Sequence, residues 1–156
     1  MSVAWVPKPS QNRLKMFREF FLFSALIVAT FACSCGRVPP TNQQKFCDVD
    51  FVATYKIWDK KNVDGKSIMY LGVAEDVFKT NGLIQSGSNI NLRTNSQLEA
   101  CGVTWLEVGK VYLLSGNREV GAVGISACQQ LSATEWSAVP EDVKDSLRNG
   151  KYGSCA

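Results

Sequence analysis

The 156-residue sequence contains no histidine. Imidazole is the usual general base near neutral pH and the commonest protein ligand for zinc. Its absence removes most Ser- and Cys-nucleophile arrangements, and no nucleophile–base pair supports an enzyme. Long hydrophobic runs are also missing. Phe20 to Ala32 has 13 residues, whereas a helix that crosses a bilayer needs about 20. No Asn-x-Ser/Thr sequon occurs, so N-glycosylation is not expected. Internal repeats, low-complexity tracts and linkers are lacking too. Finally, residues 1–32 carry four of the 17 basic and one of the 14 acidic residues, leaving 33–156 with 13 of each. A segment with no net charge and one basic doublet, Lys60-Lys61, offers no electrostatic case for nucleic acid.

What is present begins with a targeting pattern. Arg13, Lys15 and Arg18 precede the apolar run, and Thr30-Phe31-Ala32 ends it with small residues at the −3 and −1 positions. This is the layout of a secretory signal peptide cleaved after Ala32, with Met16 as an alternative start. Residues 1–32 are therefore expected to be removed and 33–156 to form one secreted, extracellular domain with no membrane attachment. An uncleaved membrane anchor is the bland alternative. A lipidated Cys33 is another, but Thr30 and Phe31 fit a lipobox poorly and lipidation leaves five cysteines to pair.

All six cysteines (33, 35, 47, 101, 128 and 155) lie in residues 33–156. An even count behind a signal peptide reads as three disulfides, and spacing alone does not choose among the 15 possible pairings. Strand patterns dominate the rest. Val49, Phe51, Ala53, Tyr55 and Ile57 alternate along Asp48 to Trp58, and Ser67 to Phe78, Asn89 to Arg93, Lys110 to Leu114 and Val120 to Ser126 are further candidates. Ser115-Gly116-Asn117 reads as the hairpin turn between the last two. Thr41-x-x-Gln44 and Ser132-x-x-Glu135 have capping-box form, and Pro140-Glu141-Asp142 opens a helix closed by Arg148 and Gly150. The expected fold is mainly β: a five-stranded Greek-key barrel of the OB type with two or three short helices and three disulfides.

At this point the chain resembles the tissue inhibitors of metalloproteinases, specifically their N-terminal, netrin-like domain. The resemblance runs through Cys33-Ser34-Cys35, Val38-Pro39-Pro40, Phe46-Cys47-Asp48, the stretch from Cys101 to Gly116, Trp136, and the tail ending at Cys155. It implies the pairing Cys33–Cys101, Cys35–Cys128 and Cys47–Cys155. It also implies inhibition of zinc metalloproteinases by a monomer with no cofactor of its own. By that resemblance, Cys33, once N-terminal, is expected to chelate the target's zinc through its backbone amine and carbonyl. The same resemblance sends Ser34 into the specificity pocket, has Cys35 and Gly36 continue the contact, and makes Leu98, Glu99, Ala100 and Cys101 a second contact segment. Trp58 to Gly65 resembles the loop between the first two strands, with peripheral contacts, and its Val63-Asp64-Gly65 reads equally well as an ordinary turn. Trp105, Trp136, Phe51 and Tyr112 read as core, and Glu107, Glu135, Glu141 and Asp142 as capping or surface charges.

The sequence departs from the family in two extra residues between Cys35 and Cys47, placed at Gly36-Arg37. Glycine there removes contact area and adds flexibility. It also ends just after the sixth cysteine, so nothing assigned to the smaller second domain of vertebrate members is carried over. The alternative function is a netrin-like extracellular binding module that inhibits no protease. The two differ at the N-terminus, because only inhibition requires an unblocked amine on Cys33.

Overall fold

The computed structural model describes residues 33–36 and 38–155. The expected signal peptide, the alternative start at Met16 and Arg37 of the insertion lie outside the described residues. After an extended segment through Pro39-Pro40, the chain forms helix α1 (Asn42–Asp48). Thr41 caps it as a full capping box: its hydroxyl accepts the Gln44 N–H, and the Gln44 side chain accepts the Thr41 N–H. The far end of α1 is closed by Lys79, whose ammonium donates to the carbonyls of Phe46 (2.7 Å) and Cys47 (2.9 Å).

Five strands follow: β1 (Phe51–Val63), β2 (Ser67–Thr80), β3 (Asn89–Asn95), β4 (Val111–Glu119) and β5 (Ala122–Gly124). They close into a barrel in the order β1-β2-β3-β5-β4, antiparallel except for the β3–β5 pair. This mainly β, closed five-stranded sheet is consistent with the OB type. Phe51, Ala53, Tyr55 and Ile57 of β1 point inward with Tyr70, Leu92, Tyr112 and Leu114 to fill the barrel. Gly72 lets β2 press onto β1, since a Cβ there would lie 2.2 Å from the Lys56 carbonyl oxygen.

A second core lies outside the barrel. Val52 and Leu113, from the outer faces of β1 and β4, pack with Phe46, Val49, Leu131, Val139, Val143 and Leu147. Val143 and Leu147 belong to helix α2 (Glu141–Arg148), which starts after Pro140 with Glu141 and Asp142 in its first turn. Gly150, at φ 65°, ends the segment as expected. Lys144 of α2 is buried, paired with Glu141 and placed over the Trp136 ring. Phe51 and Tyr112 are core residues, while Trp105 and Trp136 are half-buried against the two clusters.

Three local expectations are corrected. Ser115-Gly116-Asn117 is not a turn but the middle of β4; Gly116 is there because a Cβ would lie 2.1 Å from the Gly124 carbonyl oxygen. The turn is Val120-Gly121, with Gly121 at φ 73°. Ser132 to Glu135 does not open an α-helix. The Ser132 hydroxyl accepts the Thr134 N–H, and Glu135 pairs with Tyr112 as an isolated β-bridge, leaving only a 3-10 turn at Trp136–Ala138. Trp58 to Val63 is strand rather than loop, paired with β2 down to a tight turn at Asp64-Gly65-Lys66.

Candidate functional site

Cys33 to Gly36 has no regular secondary structure, and Ser34, Cys35 and Gly36 are exposed. Such a segment ordinarily frays. Here disulfides link Cys33 to Cys101 and Cys35 to Cys128, with Cα–Cα distances of 5.0 and 5.3 Å, and a third links Cys47 to Cys155. Two of three consecutive residues are thus bonded to separate parts of the barrel. The two bridges also touch each other. Sγ of Cys128 lies 3.6 Å from Sγ of Cys33 and 3.5 Å from Sγ of Cys101. All four sulfurs fall within 4.8 Å of one another, and as disulfides none is a thiolate ligand for a metal. The result is a short ridge that exposes Ser34, Cys35 and Gly36.

The second segment, Leu98 to Cys101, is a chain reversal beside this ridge. The Ala100 and Gly102 N–H groups donate to the Gln97 carbonyl, and the Cys101 N–H donates to that of Leu98. Cys101 sits at φ 57°, a left-handed backbone that non-glycine residues rarely adopt. Gly102 then passes so close to Asn95 that a Cβ would lie 2.1 Å from its carbonyl oxygen. Leu98, Glu99 and Ala100 are exposed, and the Cys33–Cys101 bridge places this segment against the start of the ridge. Trp58 is exposed on β1.

Cys128 is carried by a 3-10 turn, Ala127–Gln129, that is closed by the Gln129 N–H donating to the Ser126 carbonyl and the Ser126 N–H donating to Gln129 Oε1 at 3.1 Å. The Ala127 N–H donates to the Cys101 carbonyl at 2.8 Å, so the two barrel-side half-cystines stand on hydrogen-bonded backbone. Behind them Gln130, 4% exposed, accepts the Ser115 N–H and donates to the carbonyls of Ser115 and Ser126. Sequence reasoning passed over this support. Ser126-x-x-Gln129 was the available signal, the same pattern that marked Thr41-x-x-Gln44.

The groups with displaced proton affinity lie away from both segments. Burial pushes the Tyr70 hydroxyl up to about 12 and raises Tyr55 further. Hydrogen bonds from the Arg118 backbone N–H and the Asn81 side chain hold Asp50 below its usual range. Lys144 lowers Glu141, and Glu135 with Glu107 raises Lys110.

A family model described as "Tissue inhibitor of metalloproteinase" matches residues 31–156. No individual curated protein matches the chain. The match covers both segments and all six cysteines: the chain belongs to the tissue inhibitor of metalloproteinase family, a family of inhibitors, and membership implies binding to metalloproteinases and their inhibition.

Proposed function

We propose that this family member, once cleaved after Ala32 and secreted, inhibits zinc metalloproteinases through its ridge. Cleavage gives Cys33 a free α-amine beside its own carbonyl. With an ordinary pKa of about 7.7–8.0, such an amine loses its proton near neutral pH at little cost. Amine and carbonyl together form a five-membered chelate on the target's catalytic zinc, at the position a hydrolytic water needs. The Cys33 sulfur is not the ligand because it is bonded to Cys101. Ser34 enters the specificity pocket, Cys35 and Gly36 continue along the cleft, and Leu98, Glu99 and Ala100 add a second contact. The protein acts as a monomer with no cofactor of its own.

The observation that carries this reading is the pair of bridges one residue apart. A terminus already ordered loses little freedom when it binds, and that preorganisation suits a rigid, substrate-like plug. The test is to express the full chain in a secretory host, recover the processed product, and titrate it against a matrix-metalloproteinase catalytic domain. A second chain carries one alanine inserted between Ala32 and Cys33, its extended terminus verified by mass. Stoichiometric inhibition by the first and a loss of about a hundredfold or more in the second, equivalent to about 3 kcal/mol, is expected. Equal inhibition by both refutes chelation by Cys33. No inhibition by either, from protein carrying all three bridges, assigns the domain to extracellular binding instead.

A further inference from the structure

We propose that Gln130 is a positioning residue for the ridge. In the register set by the Asn117–Gly124 pair, Ser115 of β4 would next face Ser126. β5 has ended at Gly124, however, and the chain turns away to carry Cys128. The Gln130 amide occupies the gap. Its Oε1 accepts the Ser115 N–H at 3.1 Å, and its Nε2 donates to the Ser115 carbonyl and the Ser126 carbonyl, both at 2.8 Å. One side chain thus reads Ser115 as a neighbouring strand would and fixes the residue that starts the Cys128 turn.

The consequences run outward along named bonds. Ser126 begins the turn, and Cys128 holds Cys35. Ala127 holds the Cys101 carbonyl, and Cys101 holds Cys33. Both anchors of the ridge therefore take their position from one buried amide. Two further bonds brace it: the Ser115 hydroxyl donates to the Gln129 carbonyl, and Lys45 donates to the Gln130 carbonyl. The role in inhibition rests on the function proposed above. The role in holding the ridge stands independently of it.

The test compares Gln130→Met, which keeps length and loses the amide, with the milder Gln130→Asn. Val139→Ala, in the core beneath α2, serves as a destabilised control. Each full chain is secreted, processed and checked for three bridges. Amide hydrogen exchange at Cys101, Ala127 and Gln129, whose N–H groups are hydrogen-bonded beside the two anchors, is read beside the inhibition constant against the same protease domain. Gln130→Met should raise both about tenfold, the equivalent of one lost hydrogen bond to a buried group, while Val139→Ala changes neither by more than about twofold. Unchanged exchange at these anchor amides in the Gln130 variants overturns the proposal, as does an equal rise in Val139→Ala. Should Gln130→Met not be recovered folded, Gln130→Asn decides by the same criteria. Faster exchange at these anchor amides in a protein whose unaltered form inhibits nothing leaves the positioning role standing and removes the inhibitory one.

Discussion

Two of the bridges form a matched pair of perturbations. Cys35–Cys128 and Cys47–Cys155 span 93 and 108 residues, but the loops overlap. With the other bridges intact, the shortest path through chain and cross-links is about 30 residues for the first and about 40 for the second, so loop-closure entropy assigns them about 3.6 and 3.9 kcal/mol. Replacing either pair with alanine should therefore cost nearly the same, a large part of the roughly 5–15 kcal/mol that holds a domain together. What they hold differs. Cys47–Cys155 ties α1 to the end of the chain, whereas Cys35–Cys128 holds the ridge. Without Cys128, Ser34 and Cys35 must be ordered again on binding at about 1–2 kcal/mol per residue, or roughly 3 kcal/mol and at least a hundredfold in affinity. Guanidinium unfolding at low temperature measures the first quantity, and titration against a metalloproteinase domain measures the second. Equal losses of inhibition, with both variants folded and carrying their remaining native bridges, refute the assignment of the ridge. A stability gap above about 2 kcal/mol refutes the loop argument.

Other outcomes follow from single contacts. Gly72→Ala should lower stability by about 3 kcal/mol, the upper end for overpacking, because the atom it meets is the backbone oxygen of Lys56; denaturant midpoints decide it. Lys79→Met keeps the apolar stem but leaves the Phe46 and Cys47 carbonyls without their donor, at a cost of about 2 kcal/mol; a change under about 0.5 kcal/mol contradicts the capping role. Tyr55 and Tyr70 hold their protons more tightly folded than unfolded, so their contribution is complete below the unfolded value near pH 10 and is lost as pH climbs through their folded values. Ultraviolet titration should show the folded chain ionising later than the unfolded one. Ionisation of all four tyrosines near pH 10 in the folded protein contradicts this.

The inward face of β1 was legible because Phe51, Ala53, Tyr55 and Ile57 keep strict alternation. The burial of Val52 between them was not, since it depends on α1 and α2 covering the outside of the barrel. Turn chemistry misled for a related reason. Ser115-Gly116-Asn117 carries a stronger turn signal than Val120-Gly121, yet Gly116 serves close approach to Gly124, a long-range requirement that local propensity does not encode. Glu135 was likewise drawn out of a helix by pairing with Tyr112 across the chain. The disulfide pairing came from the family resemblance, not from the spacing.

The candidate site was legible only as a position, and its chemistry explains why. On the proposed reading the groups that act on the target are the amine and carbonyl of Cys33, which every chain possesses at its first residue. No side-chain motif announces them, and a sequence without histidine looks chemically empty. What the residues specify is where that amine is held: two cysteines flanking a serine, their partners at Cys101 and Cys128, and the hydrogen bonds that keep those partners together. Gln130 escaped notice because its partners are main-chain groups of Ser115 and Ser126, whose side chains carry no information about the contact. On that proposed reading, identity at a handful of sites fixes the direction of the terminus at Cys33, and that terminus does the chemistry. A substitution far from the ridge should therefore disturb inhibition only through the bonds that aim Cys33.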